Sequence, residues 1–427
     1  MPHADRTDRT DRAVAALSAP GAPFATVRTE NGSLVYADGP RTLREFVEAT
    51  WAYGDRPFLL GAGPGAGPGA ESAYTYGEFF AAATALANHF VDAYGLRPGD
   101  RAALAMGDRP EWQTAFWAAQ LAGLVAVPLD AAWAEDEFTY VLDDCAPRVL
   151  LVDGERLPRV RRWAARQGAG AVRTVVRDHG GAVEAGTERY EDLPAADRYT
   201  APPDVEVRAE DDATISYVPG PSGRLRGAVA TQLAQAGAAM NARFLAAVAA
   251  LDRGEIPGLG PVPVTPLTYP FSRVEALTRV YAAMAAGGAL RVTDGPRSDD
   301  GSEISGSGPG LGSGSGPGSG SGLGPGSGSG DTLSGDTFGL TETCGAVLAG
   351  GRPTPVTEVR VDGAGELWLR GQSLVRGYWG ENPADEALAV ENPADEAHAR
   401  DGWFGWFATG ITATLRDGRV RTGSPAP

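Results

Sequence analysis

Apolar and polar positions along this chain follow two periods. Leu43, Phe46, Val47 and Trp51 fall on one helical face, and Thr42-Leu-Arg-Glu45 ahead of them reads as a capping box. A second box, Thr75–Glu78, opens a helix that turns Phe79, Leu86 and Phe90 inward. Short apolar runs then alternate with helical patterns. Arg101–Met106 is a run, Pro110–Leu121 a helix with proline in its tolerated first turn, and Val125–Leu129 a strand. Glu135–Leu142 is a helix, and Arg148–Val152 and Val172–Val176 are strands. Strand–helix–strand alternation at this spacing predicts an α/β layer around a largely parallel sheet. Further on, Glu358–Val361 and Glu366–Leu369 read as short strands of a small β-rich unit.

Three stretches break the pattern. Gly61–Gly69 is a loop of Gly, Pro and Ala. Ser298–Gly335 is almost wholly Gly, Ser and Pro, and a chain of that composition cannot bury enough apolar surface to order itself. It is expected to behave as a flexible coil with ends on the order of 35 Å apart. The heptapeptide E-N-P-A-D-E-A occurs at Glu381–Ala387 and again at Glu391–Ala397, which reads as a local duplication in a surface insertion.

Composition narrows the function classes. The 427 residues carry a formal net charge of −17, which argues against nucleic acid or an anionic membrane as the main partner. No apolar run is long enough to span a bilayer. The start, M-P-H-A-D-R-T-D-R-T-D-R, has no apolar core and does not resemble a secretory signal. Cys145 and Cys344 stand far apart in sequence with no metal or disulfide pattern, so the expected compartment is a reducing cytoplasm. Every basic side chain other than histidine is arginine, so no lysine is available for chemistry.

The candidate chemistry lies in three late motifs. They are Thr337–Thr343 (T-F-G-L-T-E-T), Gly365–Tyr378 (G-E-L-W-L-R-G-Q-S-L-V-R-G-Y) and Gly402–Gly410 (G-W-F-G-W-F-A-T-G). The pattern alone also fits a turn followed by a β-hairpin. In this order and spacing the motifs resemble the AMP-forming acyl-activating enzymes, which include acyl-CoA synthetases, peptide-synthetase adenylation domains and luciferases. Gly95–Asp153, with L-R-P-G-D-R-A-A-L and A-G-L-V-A-V-P-L-D, resembles the first half of an acyl-CoA synthetase. The resemblance implies ATP or AMP and Mg²⁺ as cofactors. Thr341 would offer its hydroxyl to the α-phosphate, Glu342 its carboxylate to Mg²⁺, and Phe338 with Gly339 a face to the adenine. A hard divalent cation takes oxygen ligands and the nucleotide's own phosphates, which suits these residue types.

Asp211–Gln232 occupies the place of the family's phosphate loop, where backbone amides and hydroxyls cradle phosphates. Gly220, Gly223 and Gly227 keep the backbone's freedom and Ser222 keeps one hydroxyl. Val218, Pro219 and Pro221 stand at other hydroxyl positions, and Arg226 stands at the lysine position. Each proline removes an amide donor. Thr265–Val292 resembles the family's substrate-side helix and following strand, with Tyr269 where an aromatic residue or histidine divides the acyl pocket from the nucleotide. Ordinary core packing is the plain alternative for Tyr269, as a surface turn between strands is for the loop.

Other departures bear on activity. The folded α/β segment that supplies the far wall of the acyl pocket is expected to be deleted and bridged by the Gly/Ser/Pro stretch. The family has an aspartate that holds the ribose hydroxyls after Thr409-Gly410, and here Ile411 can accept nothing. After Asp417-Gly418 the family continues into a hinge and a mobile C-terminal domain, expected to be absent here, together with its catalytic lysine. The resemblance therefore implies a layered αβαβα fold of the adenylate-forming kind, internally deleted, with a small β-rich subdomain. Its divisions are a flexible leader (1–35), an α/β acyl-activating region (36–298), a linker (299–336) and a nucleotide-motif and β-rich part (337–427). By descent the function is that of an acyl-CoA synthetase of fatty-acid metabolism type, with a small carboxylate and a nucleotide as partners and CoA or a carrier protein as acceptor. The departures point to reduced or lost catalysis, and a non-catalytic binding module of the same descent is the other reading.

Overall fold

The computed structural model describes residues 11–30, 32–60, 73–168, 171–177, 186–220, 223–257, 263–267, 269–292, 337–380 and 405–422. The linker at 299–336, the two heptapeptides and the loop core at 61–69 lie outside the described residues.

The central element is an eight-stranded sheet. Its order across the sheet is Gly377–Tyr378, Leu225–Thr231, Asp212–Pro219, Val125–Pro128, Arg101–Ala105, Val149–Asp153, Arg173–Arg177 and Thr187–Arg189. The six strands from Asp212–Pro219 outward run parallel, whereas Leu225–Thr231 pairs antiparallel with Asp212–Pro219 and Gly377–Tyr378 antiparallel with Leu225–Thr231. The inner strands read as unbroken apolar runs because both faces are covered. Ala102 and Leu104 join the larger core, whereas Ala103 and Ala105 join a second core with Phe138, Val141 and Trp163 of helices Glu135–Cys145 and Leu157–Arg166. On the opposite face lie helices Pro110–Leu121 and Gln232–Asp252. Helices Tyr76–Asn88 and Val274–Ala286 pack on that pair and carry a four-stranded sheet ordered Val264–Leu267, Ala289–Val292, Pro57–Leu60 and Ala73–Thr75. The α/β layering predicted from alternation is thus observed, with strand ends displaced by a residue or so.

Local signals hold unevenly. Thr75 and Glu78 form the full reciprocal capping box. At the first helix Thr42 accepts from the Glu45 amide, but the Glu45 carboxylate accepts from the Arg41 amide at 2.6 Å and not from Thr42. Trp51 lies in a single 3-10 turn beyond the helix and is 38% exposed, so it does not continue the buried face of Leu43, Phe46 and Val47. The segment expected as a flexible leader folds where it is described. Thr26–Arg28 pairs with Leu34–Tyr36, and Phe24 meets Phe244 edge-on at 5.2 Å. The physical reason is apolar: Phe24 and Tyr36 find the exposed side of the 232–252 helix and bury there.

The later part of the chain is β-rich. Thr337–Leu340, Gly345–Ala349 and Arg352–Pro353 form one antiparallel sheet, and Thr357–Val361, Glu366–Gly371, Phe407–Arg416 and Arg419–Thr422 form another. Its segment 372–379 makes several of the contacts that join it to the α/β part. Gly377–Tyr378 extends the large sheet, and the Arg376 guanidinium grips Asp212 through two bonds of 2.6 and 2.8 Å. Trp379 donates to the Asp144 carbonyl at 3.1 Å. Beside it, Gln372 accepts from the Tyr36 amide, and Asn241 links the Tyr36 hydroxyl to Ser373. Gly237 makes room for this contact, since a Cβ there would come within 2.9 Å of the Gln372 side chain.

Both cysteines are buried. Burial, reinforced by Asp144, pushes the Cys145 thiol up to about 12, and burial with Glu342 nearby raises Cys344. Thiolate is the reactive form, so neither should react with an aromatic disulfide reagent at pH 8 until the protein is denatured. Rapid labelling of two thiols in the native protein would contradict this burial.

Candidate functional site

The Thr341–Glu342 pair sits at the tip of a tight hairpin. Strand Thr337–Leu340 ends in one 3-10 turn, Thr341–Thr343, and Gly345–Ala349 returns antiparallel. The Leu340 amide donates to the Thr343 hydroxyl at 2.8 Å, and that hydroxyl also lies 2.7 Å from the Gly345 carbonyl. Cys344 takes a left-handed backbone at φ 55°. Two glycines are required by close approach. A Cβ on Gly339 would lie 2.1 Å from the Gly345 carbonyl oxygen, and one on Gly345 would lie 2.5 Å from the Thr278 hydroxyl. The hairpin is therefore seated on the Val274–Ala286 helix, which carries Thr278. Phe338 packs on a small core with Val347, Leu348, Leu367 and Leu369.

The turn is held from the other side by the Gly377–Tyr378 segment. The Val375 amide donates to the Glu342 carbonyl at 2.9 Å, and the Tyr378 hydroxyl donates to the Glu342 carboxylate at 2.9 Å. Tyr378 pairs with Ala228 in the large sheet, and the Arg226 guanidinium lies 3.8 Å from the Tyr378 ring centroid. Three sequence motifs thus meet: the T-E turn, the G-Y end of the second motif, and the strand that follows the candidate phosphate loop.

The candidate phosphate loop lies between two paired strands. Val218 and Pro219 lie in one strand, Arg226 and Gly227 in the next, paired in register with Val218 and Tyr217. The Gly220 amide donates to the Arg224 carbonyl at 2.7 Å and the Gly223 amide to the Gly220 carbonyl at 3.0 Å, so these two donors are used inside the turn. Gly223 holds φ 77°. Ser222 lies outside the described residues.

Tyr269 is half-buried, with the Arg279 guanidinium 4.9 Å from its ring centroid. Arg279 follows Thr278 on the helix under the hairpin, so Tyr269 and the T-E turn share one support. The Phe271 amide donates to Asp108 at 2.7 Å, which pins the segment leading into that helix.

Thr409–Ile411 forms an irregularity between Glu366–Gly371 and Phe407–Arg416. The Thr409 hydroxyl donates to the Leu367 carbonyl at 2.7 Å, and the Ile411 amide donates to Thr409 Oγ1 at 3.2 Å. The Gly410 amide donates to the Glu366 carboxylate at 2.8 Å. Sequence reasoning singled out neither Glu366 nor Tyr378, although both lie inside the quoted second motif; their spacing to Gly410 and Glu342 is set only by folding.

Among the described residues there is no group of three or more His, Cys, Asp or Glu that could hold a metal ion. Among the described residues, then, no preformed cage for Mg²⁺ is present. A single carboxylate, Glu342, does fit a cation that arrives with phosphate oxygens and water, the usual arrangement for Mg²⁺ on nucleotides. Among the described residues, also, no helix is long and apolar enough to cross a membrane.

The sequence profile of the AMP-binding enzyme family matches residues 46–304, more than half of the chain. The chain belongs to the AMP-binding enzyme family. A feruloyl-CoA synthase of Amycolatopsis sp is 32% identical over 160 residues, which are 38% of this chain and 28% of that protein. The chain spans less than a third of the length of the curated relatives it matches. Two solved structures share the fold. The N-terminal domain of FACL13 from Mycobacterium tuberculosis superposes with TM-score 0.61 at 18% identity, covering 90% of this chain and 99% of that one. The o-succinylbenzoate CoA synthetase MenE from Bacillus subtilis, in complex with ATP and magnesium ion, gives TM-score 0.58 at 17% identity and covers 89% of this chain and 99% of that one. Family membership rests on the first part of the chain, and the shared fold extends to the β-rich part that carries the T-E hairpin.

Proposed function

We propose that this AMP-binding enzyme family protein takes Mg²⁺–ATP and a small carboxylate and forms an acyl-adenylate slowly, as a reduced synthetase of the acyl-CoA ligase kind. The observation that carries the reading is the convergence of Glu342, Tyr378 and Arg226, which sets a carboxylate for a cation beside a guanidinium for phosphate. Its chemistry is displacement at phosphorus: a carboxylate oxygen attacks the α-phosphorus, and pyrophosphate leaves with the electron pair of the broken P–O bond. Most of such catalysis is positioning and charge neutralisation. Mg²⁺, when bound with the nucleotide, supplies charge neutralisation at the phosphates. Thr341 orients the α-phosphate by its hydroxyl, and Glu342 accepts the cation. Phe338 and Gly339 border the adenine. Ser222, Gly223, Arg226 and Gly227 border the phosphates, and Tyr269 the carboxylate. The acyl acceptor is CoA or a carrier protein.

Slowness follows from the chain's own residues. The amides of Gly220 and Gly223 are engaged within their turn, Ile411 offers no acceptor to a ribose diol, and arginine replaces lysine throughout. A diol left without a partner in a site shaped for it costs about 1–3 kcal/mol. The engaged amides also favour the second reading, a module that binds nucleotide or acyl group without turnover. ATP–pyrophosphate exchange over a panel of carboxylic acids separates the two, with AMP calorimetry beside it. Slow exchange is expected, together with AMP binding that tightens in Ile411→Asp. Absence of exchange with retained binding supports the module, and absence of both removes the nucleotide reading.

A further inference from the structure

Tyr378 has a place in this site that neither its motif nor the family match assigns. Its side chain is 8% exposed and does two things at once. The hydroxyl donates to one oxygen of Glu342 at 2.9 Å, and the ring face carries the Arg226 guanidinium at 3.8 Å. Its backbone is fixed as well, since Tyr378 pairs with Ala228 and the neighbouring Trp379 amide donates to the Gly227 carbonyl at 2.7 Å. Glu342 itself is partly exposed and stands in a single turn of 3-10 helix, a short element with little hold on a long side chain. Without the hydroxyl, the carboxylate would sample several rotamers, and a lone carboxylate ligand is effective only where its oxygen is already placed.

We infer that Tyr378 is a positioning residue that presents Glu342 to a divalent cation carried by a nucleoside polyphosphate, while its ring keeps the Arg226 guanidinium beside the same phosphates. The inference rests on the nucleotide reading above. It separates two functions within one side chain. The hydroxyl serves the cation and the ring serves the phosphate. Tyr378→Phe removes the first and keeps the second, and because the ring stays, the packing of the strand stays too.

The probe is ATP, titrated by calorimetry against the full chain at a series of Mg²⁺ concentrations, and again with EDTA in place of Mg²⁺. In Tyr378→Phe the Mg²⁺ concentration that gives half of the Mg²⁺-dependent gain should rise roughly three- to tenfold, the effect of one ordinary hydrogen bond, with the EDTA affinity unchanged. Tyr378→Leu should weaken binding in EDTA as well, because the cation–π support of Arg226 is then gone. In a Glu342→Gln background, Tyr378→Phe should add nothing to the Mg²⁺ dependence, since the two act as one unit. Equal Mg²⁺ requirements in wild type and Tyr378→Phe overturn the inference while leaving the nucleotide reading intact. A uniform loss with and without Mg²⁺ also overturns it, by reducing Tyr378 to a structural residue. A wild type that binds no ATP under any condition overturns the nucleotide reading and this inference with it.

Discussion

Gly339→Ala is expected to destabilise the protein by about 3 kcal/mol and to abolish nucleotide binding together with it. The added methyl would lie 2.1 Å from the Gly345 carbonyl oxygen and 2.8 Å from the Ala346 Cα, both backbone atoms that no rotamer change can move aside. Relief requires opening the hairpin. The hairpin cannot shift toward the helix beneath it, because Gly345 already abuts the Thr278 hydroxyl. Gly363→Ala is the control, since nothing lies within 4 Å of a Cβ there and its backbone is ordinary. Thermal melts of the two variants against wild type provide the comparison. A Gly339→Ala protein that melts with the wild type would show that the close approach is not required.

Glu342→Ala is expected to remove the Mg²⁺-dependent part of ATP affinity, by roughly tenfold or more, about 1.4 kcal/mol or more, while AMP binding in EDTA stays near the wild-type level. Glu342 is the carboxylate at the T-E turn, and among the described residues no cluster of acidic, His or Cys side chains stands ready to replace it. The substitution also removes the 2.9 Å hydrogen bond from the Tyr378 hydroxyl, and the loss of one hydrogen bond costs about 1 kcal/mol of stability. Glu342→Gln restores an acceptor for that hydroxyl without the charge. Stability should therefore recover in Glu342→Gln, whereas the Mg²⁺ effect should not. If Glu342→Gln binds Mg²⁺–ATP as wild type does, the cation is held elsewhere and the assignment of Glu342 fails.

The layered α/β architecture was readable from the order of residues because its determinants are local. Alternation of apolar runs with helical patterns, and glycines or prolines between them, requires only neighbours in sequence to be recognised. Thr75 and Glu78 form their capping box within a single turn. The T-E motif was readable for a similar reason, since Thr341 and Glu342 are adjacent and Gly339 stands two residues before them.

What the tertiary structure decided involves partners far apart in the chain. Glu45 found the Arg41 amide instead of its expected one, and the described residues 11–30 and 32–36 are ordered where Phe24 and Tyr36 meet the 232–252 helix, which no local pattern announces. In the candidate phosphate loop the Gly220 and Gly223 amides are engaged, because the strands on either side pair as far as Pro219 and Leu225. Above all, Tyr378 reaches Glu342 across 36 positions and Arg226 across a strand pairing. Residue types named the possible chemistry here. The large sheet selected which of them meet, by adding Gly377–Tyr378 to its edge and so bringing the second motif against the first.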